Sequence, residues 1–227
     1  DMGVGTRQEV KALIRKGRVA VDGITAKAPE LKVDPDEAQV TVDGNSISYV
    51  KMEYWMLHKP AGVVSATEDR RDRTVLDLLS DAARKDLFPV GRLDKNSVGV
   101  LLITNDGELT RKLTHPSYNK QKVYQVTLDK PLAQADMTKI AEGITLEDGE
   151  IHADEISYVS ENRKEVGIEI HSGRNRIVRR IFESLGYSVQ KLDRVYFAGL
   201  TKKKLKRGGW RFLSPMEVNR LKSGEYE

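Results

Sequence analysis

Apolar residues along the chain recur with two periods, and the alternation between them predicts the elements. In "TRQEVKALIRKG" the apolar positions Val10, Leu13 and Ile14 fall at helical spacing, Thr6 and Glu9 fit a capping box, and Gly17 suits the stop, so a short helix is predicted. Arg7, Lys11 and Arg15 recur every fourth residue along another face of it. "RVAVDG" and "QVTVDG" then alternate with a period of two and each ends in Asp-Gly, which predicts two strands closed by tight turns. A unit this small buries little core and leans on a neighbour or a ligand, so its expected task is to grip something.

A boundary is expected near Ser46 to Glu53, where the second turn gives way to the apolar segment "YWMLHKPAGVVSAT". Beyond it "TVLDLL" reads as a short helix, "GVLLIT" as a buried strand, "GELTRKLTH" as a helix and "KVYQVTL" as an alternating strand. "LAQADMTKIAEGI" returns to helical spacing, "EVGIEIHS" to strand alternation, and "RIVRRIFESLG" to a helix closed by Gly186. This irregular order favours an α+β fold over the regular alternation of a doubly wound sheet.

Composition narrows the chemistry. The 227 residues contain no cysteine, which excludes disulfides, thiolate metal sites and cysteine nucleophiles and suits a reducing cytoplasm, the expected location. No stretch reads as a secretory signal, and no apolar run approaches the roughly 20 residues that span a bilayer, so no membrane partner is expected. The net charge of +4 is modest, but its distribution is not. Ser172 to Arg211 holds twelve Lys or Arg against Glu183 and Asp193 alone, whereas Lys130 to His171 holds four basic residues against ten acidic ones. Two basic elements, this one and the first helix, point to a polyanion such as RNA, against the plainer reading of a solvated basic face.

There is no metalloprotease helix motif, P-loop or nucleophile elbow, and His58, His115, His152 and His171 are scattered. A metal site would have to draw on carboxylates such as Asp94, Asp106 and Asp193; none is expected. In "PVGRLDKNSVGVLLITNDG", Asp94 lies on a turn-rich loop at the entrance to a buried strand, two residues after Arg92. It reads either as a turn aspartate capping its own backbone or as a carboxylate kept ionised by a nearby cation. The cation-rich helix "GRNRIVRR" offers that cation: Ile177, Val178, Ile181, Phe182 and Leu185 form its core stripe and leave Arg176, Arg179 and Arg180 on other faces. Tyr124 shares a strand face with Val126 and Leu128, either as a core tyrosine or as a platform for a flipped base.

"VGRLDKNSVGVLLITNDGEL", "KVYQV" and "IHSGRNRIVRRIFESLGYSVQKLDRV", in that order, closely resemble the RsuA/RluB-type pseudouridine synthases of bacterial ribosomal RNA. "GTRQEVKALIRKGRVAVDG" resembles the alpha-L RNA-binding domain that precedes the catalytic domain there, with its usual first helix absent or cut short before Asp1. The resemblance implies an RNA-binding domain over residues 1–48 and a catalytic domain over 53–220, built on a mixed, largely antiparallel sheet with flanking helices. It implies Asp94 as the catalytic aspartate, Tyr124 stacking on the target base, and Arg92 filling the gap left by the extruded nucleotide. It aligns Arg179 with the arginine that pairs with the aspartate and Arg176 with an RNA contact, and it leaves Arg174, Arg180, Arg7, Lys11 and Arg15 as further RNA-binding positions.

The implied reaction breaks the C1′–N1 bond of uridine, turns the uracil over and bonds C5 to C1′, with no cofactor. The expected partner is ribosomal RNA, naked or in an assembling subunit, met by a monomer. An RNA-binding or ribosome-assembly factor without catalysis is the alternative, and a carboxylate-metal nuclease a third reading; loss of conversion on removing Asp94, or strand cleavage sensitive to chelators, separates them.

Overall fold

In a computed structural model the chain forms two compact units, Asp1–Met52 and Glu53–Glu227, with residues 4–35, 37–47, 51–79, 83, 86–118 and 120–226 described. Part of the expected boundary, residues 48–50, lies outside the described residues. Within the described residues no helix is long and apolar enough to cross a membrane.

The N-terminal unit opens on α1 (Arg7–Arg15), whose Thr6 and Glu9 make the reciprocal capping box that the sequence spells. The strands β1 (Val19–Val21), β2 (Ile24–Thr25), β3 (Val40–Val42) and β4 (Asn45–Ile47) form an antiparallel sheet in the order β2-β1-β3-β4. Both Asp-Gly pairs sit at positive φ, +49° and +80° at Asp22 and Gly23, and +52° and +77° at Asp43 and Gly44, the backbone that a two-residue hairpin turn demands. Val10, Leu13 and Ile14 of α1 are only half-buried, while Arg7, Lys11 and Arg15 are exposed.

The second unit is an α+β body around one mixed sheet. Its elements are β5 (Tyr54–Lys59), β6 (Phe88–Pro89), β7 (Val98–Thr104), α2 (Gly107–Thr114), β8 (Lys122–Leu128), α3 (Gln134–Glu142), β9 (Ile144–Leu146) and β10 (Gly149–Ile151). They continue with β11 (Glu155–Tyr158), β12 (Glu165–Ile170), α4 (Ile177–Ser184), β13 (Val189–Phe197), β14 (Leu200–Thr201), β15 (Trp210–Phe212) and α5 (Pro215–Ser223). The sheet runs β11-β12-β8-β13-β7-β5-β15, with β14 on β13, β6 on β7, and β9 and β10 as a separate hairpin. Every pairing in it is antiparallel except β13 with β7. That parallel junction is confined to Asp193↔Val98 and Arg194↔Gly99. Gly99 permits it, because its φ is +120° and a Cβ there would overlap the Arg194 backbone.

β7 is buried along its whole length, as an uninterrupted apolar run requires. One face of the sheet packs with α3 and α4 in a core that includes Leu101, Ile103, Val126, Ile140, Ile181 and Phe182. "TVLDLL", expected as a short helix, contains only a 3₁₀ turn at Leu76–Leu78. Six residues held by the bond from Thr74 N–H to Asp77 are too few to propagate an α-helix.

The C-terminal helix is fastened by charge. Glu217 completes a capping box with Ser214 and accepts a bidentate pair from Arg211 at 2.7 and 2.8 Å, joining α5 to β15. The Arg211 guanidinium is the main cause that holds the Glu217 carboxyl down from its ordinary 4.5 to about 2. With the folded value below the unfolded one, the stabilisation is complete above about pH 4.5, declines as pH falls, and is gone below about pH 2. We expect acid titration followed by fluorescence of Trp210, next to Arg211, to report loosening of this end across that window, and Glu217→Gln to flatten it. A Trp210 signal identical in the variant would show that the pair anchors nothing.

Candidate active site

The loop before β7 carries Asp94, and its backbone is held from beneath by a buried ammonium. Lys59 ends β5 with no exposed surface, and its Nζ donates to the carbonyls of Pro60 (3.0 Å), Asp94 (3.0 Å), Lys95 (3.1 Å) and Ser97 (2.8 Å). Burial pulls its pKa down to about 8 while the Asp94 carboxylate works the other way. Ser65 Oγ accepts from the Leu93 N–H and donates to the Leu93 carbonyl, and the Ser97 N–H closes the turn onto the Asp94 carbonyl. The loop is thereby fixed at Leu93, Asp94, Lys95 and Ser97.

With its backbone so held, Asp94 keeps 34% of its side chain exposed and lies between two guanidinium groups from α4. Arg176 Nη1 donates to Asp94 Oδ2 at 3.3 Å, and Arg179 Nε stands 3.6 Å from the same oxygen. Arg176 is the N-cap of α4 in the left-handed region, φ +48°, a backbone that side chains adopt at some cost in strain. Arg179 reaches from one turn further on and is anchored by Ser97 Oγ (3.2 Å) and the Val189 carbonyl (3.3 Å). The sequence leaves Arg179 off the core stripe, yet it is buried; burial, then Arg176, lowers its pKa, and Asp94 and Glu183 oppose them.

Asp94 forms part of the wall of a cleft of about 160 Å³, which Arg92, Lys122, Tyr124, Arg176 and Arg194 also line. That is below the roughly 300–1,000 Å³ of pockets for drug-sized ligands, a size for one flat ring. Tyr124 is buried on β8 and Arg92 exposed at the rim. The structure therefore brings together Asp94, Arg92, Tyr124, Arg176 and Arg179. The other two arginines of the motif are engaged by Asp148, Arg174 while also lining the cleft. Arg180 makes a bidentate pair with Asp148 at 2.9 and 3.0 Å, and Arg174 donates to the Asp148 carboxylate and to the carbonyls of Asp148 and Glu150. Arg180 is the main cause that holds the Asp148 carboxyl below its ordinary range. Arg7, Lys11 and Arg15 belong to the N-terminal unit.

The three carboxylates weighed for a metal do not converge. Asp106 caps α2 through the Leu109 N–H and accepts from the Tyr54 hydroxyl at 2.7 Å, and Asp193 is paired with Lys202. Among the described residues the group with ligand atoms within 4.8 Å of one another is Asp154, Glu169 and His171, where Asp154 and His171 are already hydrogen-bonded.

Lys59, Lys122, Ser97 and Arg194 are site residues that the sequence reading did not single out. A lysine followed by proline at the end of an apolar strand was the visible trace of Lys59, because a strand buried along its length must satisfy any charge it carries.

A family model described as RNA pseudouridylate synthase matches residues 53–184, and the S4 domain model matches residues 1–38. Ribosomal large subunit pseudouridine synthase B of Bacillus subtilis (strain 168) is 36% identical over 225 residues, covering 97% of this chain and 92% of that one. A protein of the same description from Vibrio cholerae is 36% identical, covering 97% and 71%. A crystal structure of a pseudouridylate synthase superposes with a TM-score of 0.68 at 26% identity, covering 95% and 94% of the two chains.

Proposed function

We propose, from the premise that this chain belongs to the RNA pseudouridylate synthase family and is an isomerase acting on RNA, that it converts one uridine of ribosomal RNA to pseudouridine with Asp94 as the reacting group. The observation that carries this reading is the Asp94 carboxylate, set between Arg176 and Arg179 on the wall of a cleft that Tyr124 also lines. Two guanidinium groups face this carboxylate, whose oxygens are able to bond C1′ or to take a proton from the sugar. Arg179, fixed by Ser97 and Val189, acts as the permanent counter-charge, and Arg176 as the exposed one that meets RNA.

The target uridine leaves its stack, which costs a few kcal/mol, and lays its ring against Tyr124 while Arg92 occupies the gap behind it. Phosphate contacts offset that cost. Arg92 and the exposed Lys203, Lys204, Lys206 and Arg207 supply them around the catalytic domain, residues 53–220, and Arg7, Lys11 and Arg15 from the RNA-binding domain, residues 1–48. Arg174 and Arg180 hold the loop into α4 through Asp148 and contact RNA through their remaining edges. The protein works as a monomer in the cytoplasm, on RNA that is naked or in an assembling subunit.

The test is to incubate the protein with naked ribosomal RNA and with assembly intermediates, then map pseudouridine by chemical labelling and primer extension. A single new position is expected. Binding without any new pseudouridine would favour a non-catalytic RNA-binding factor.

A further inference from the structure

Of the cations that line the cleft, Arg92, Lys122 and Arg194 have no carboxylate within 4 Å among the described residues, and of these three Arg92 alone is exposed. Among the described residues, Arg174, Arg176, Arg179 and Arg180 each lie within 4 Å of a carboxylate, whereas no carboxylate pairs with Arg194 or Lys122. Arg194 is 3% exposed. Its Nε donates to the Val100 carbonyl at 2.9 Å, and its guanidinium carbon lies 4.7 Å from the centre of the Phe197 ring. Its Nη2 is enclosed, with no acceptor among the described residues. Lys122 is partly buried and donates to the Lys120 carbonyl; burial, then the charge of Arg194, lowers its pKa to about 8.

Their placement is set by the sheet. Arg194 on β13 stands directly opposite Tyr124 on β8, so the two side chains share a face, and Lys122 lies two residues before Tyr124 on that same face. All three line the cleft that holds Asp94. A buried guanidinium N–H without an acceptor costs the fold stability, and its retention beside a site calls for a partner that arrives with the ligand. Since the platform for the base is the direct neighbour, an oxygen of that base is within its province more than a backbone phosphate is.

We propose that Arg194, assisted by Lys122, binds the carbonyl oxygens of the target uracil and stabilises the negative charge they take up as the C1′–N1 bond breaks. This rests on the reading that Asp94 and Tyr124 receive a flipped uridine. On either route the electron pair of the broken bond passes to the ring and is shared by N1, O2 and O4. In one route a carboxylate oxygen of Asp94 bonds C1′; in the other Asp94 takes the C2′ proton. When C5 then bonds C1′, the Asp94–C1′ bond breaks in the first route and Asp94 returns its proton to C2′ in the second; the C5 proton is released and N1 gains one, so the ring ends neutral. Two positive groups at the oxygens, one buried and one partly buried, lower the energy of the separated, anionic base, a state present only between the two bonds.

The experiment measures single-turnover conversion at saturating RNA, and RNA affinity as a function of salt, for the wild type and for Arg194→Met, Arg194→Lys and Lys122→Met, with thermal melting to verify folding. For Arg194→Met the conversion rate is expected to fall by about a hundredfold or more, as on loss of an oxyanion donor. RNA affinity and its salt slope should stay as in the wild type, Arg194→Lys should recover part of the rate, and Lys122→Met should lose about tenfold, below the loss of a full donor. Wild-type conversion by Arg194→Met overturns the proposal. So does a salt slope reduced by about one with the saturated rate unchanged, which marks a phosphate contact. If Arg194→Met does not fold, the rate of the more exposed Lys122→Met decides in the same way. A wild-type protein that converts no uridine would sink the proposed function; a converting wild type beside an equally fast Arg194→Met sinks only this assignment.

Discussion

Asp94→Asn is expected to lower conversion of uridine by at least about a thousandfold, the scale lost with an essential acid–base or nucleophilic group, while RNA affinity changes by less than about twofold. The amide keeps the size of the carboxylate and an oxygen for Arg176, so the loop held by Lys59 and Ser65 has no reason to move. What is lost is the charge. Two guanidinium groups then face a neutral side chain, and the cleft becomes more positive, which does not weaken attraction for phosphate. Rate and affinity should therefore separate cleanly in single-turnover and filter-binding measurements on the same RNA. Substantial residual conversion by the variant would remove Asp94 from the reaction.

Replacing Lys59 tests the support beneath it. Methionine fills a similar volume but offers no donor, so Lys59→Met takes the ammonium from four carbonyls; those of Asp94 and Lys95 keep the N–H groups of Ser97 and Gly62, whereas those of Pro60 and Ser97 are left without their donor. Each orphaned acceptor costs about 1–3 kcal/mol and the costs overlap, so we expect a loss of roughly 3–5 kcal/mol in urea unfolding, the range for breaking a buried charged network. Conversion should fall as well, because the Asp94 backbone loses its fixed position. An unchanged urea midpoint would mean that the loop is held by Ser65 and its own turns alone.

Local signals carried much of this architecture. The capping box at Thr6, the two Asp-Gly turns and the apolar run of β7 each depend on neighbours within a few residues, and each is formed as its letters prescribe. β13 escaped because Lys191, Asp193 and Arg194 break any apolar alternation, and the groups that meet two of them, Lys202 at Asp193 and the Val100 carbonyl at Arg194, are ones that pattern cannot name. The arginine question was of the same kind. Four arginines lie within seven residues, and what decides between them is an aspartate 82 positions away and an acidic hairpin turn at Asp148. Helical spacing put Arg179 off the core, whereas the fold buries it against Ser97 and Val189. The roles proposed for Asp94, Tyr124 and Arg92 rest on family motifs, since the physics of a loop aspartate or a strand tyrosine allows plainer uses.

The parallel seam at Gly99 and Arg194 has a consequence for how the protein comes into being. It ties β7 to a strand made about a hundred residues later, a non-local contact of the kind that forms slowly, and chains leave the ribosome N-terminus first. A nascent polypeptide thus displays the acid long before it owns the guanidinium groups and the far wall of the cleft. Until β13 is in place the cleft beside Asp94 lacks Arg194 and the rest of that wall, and its completion comes in one late closure.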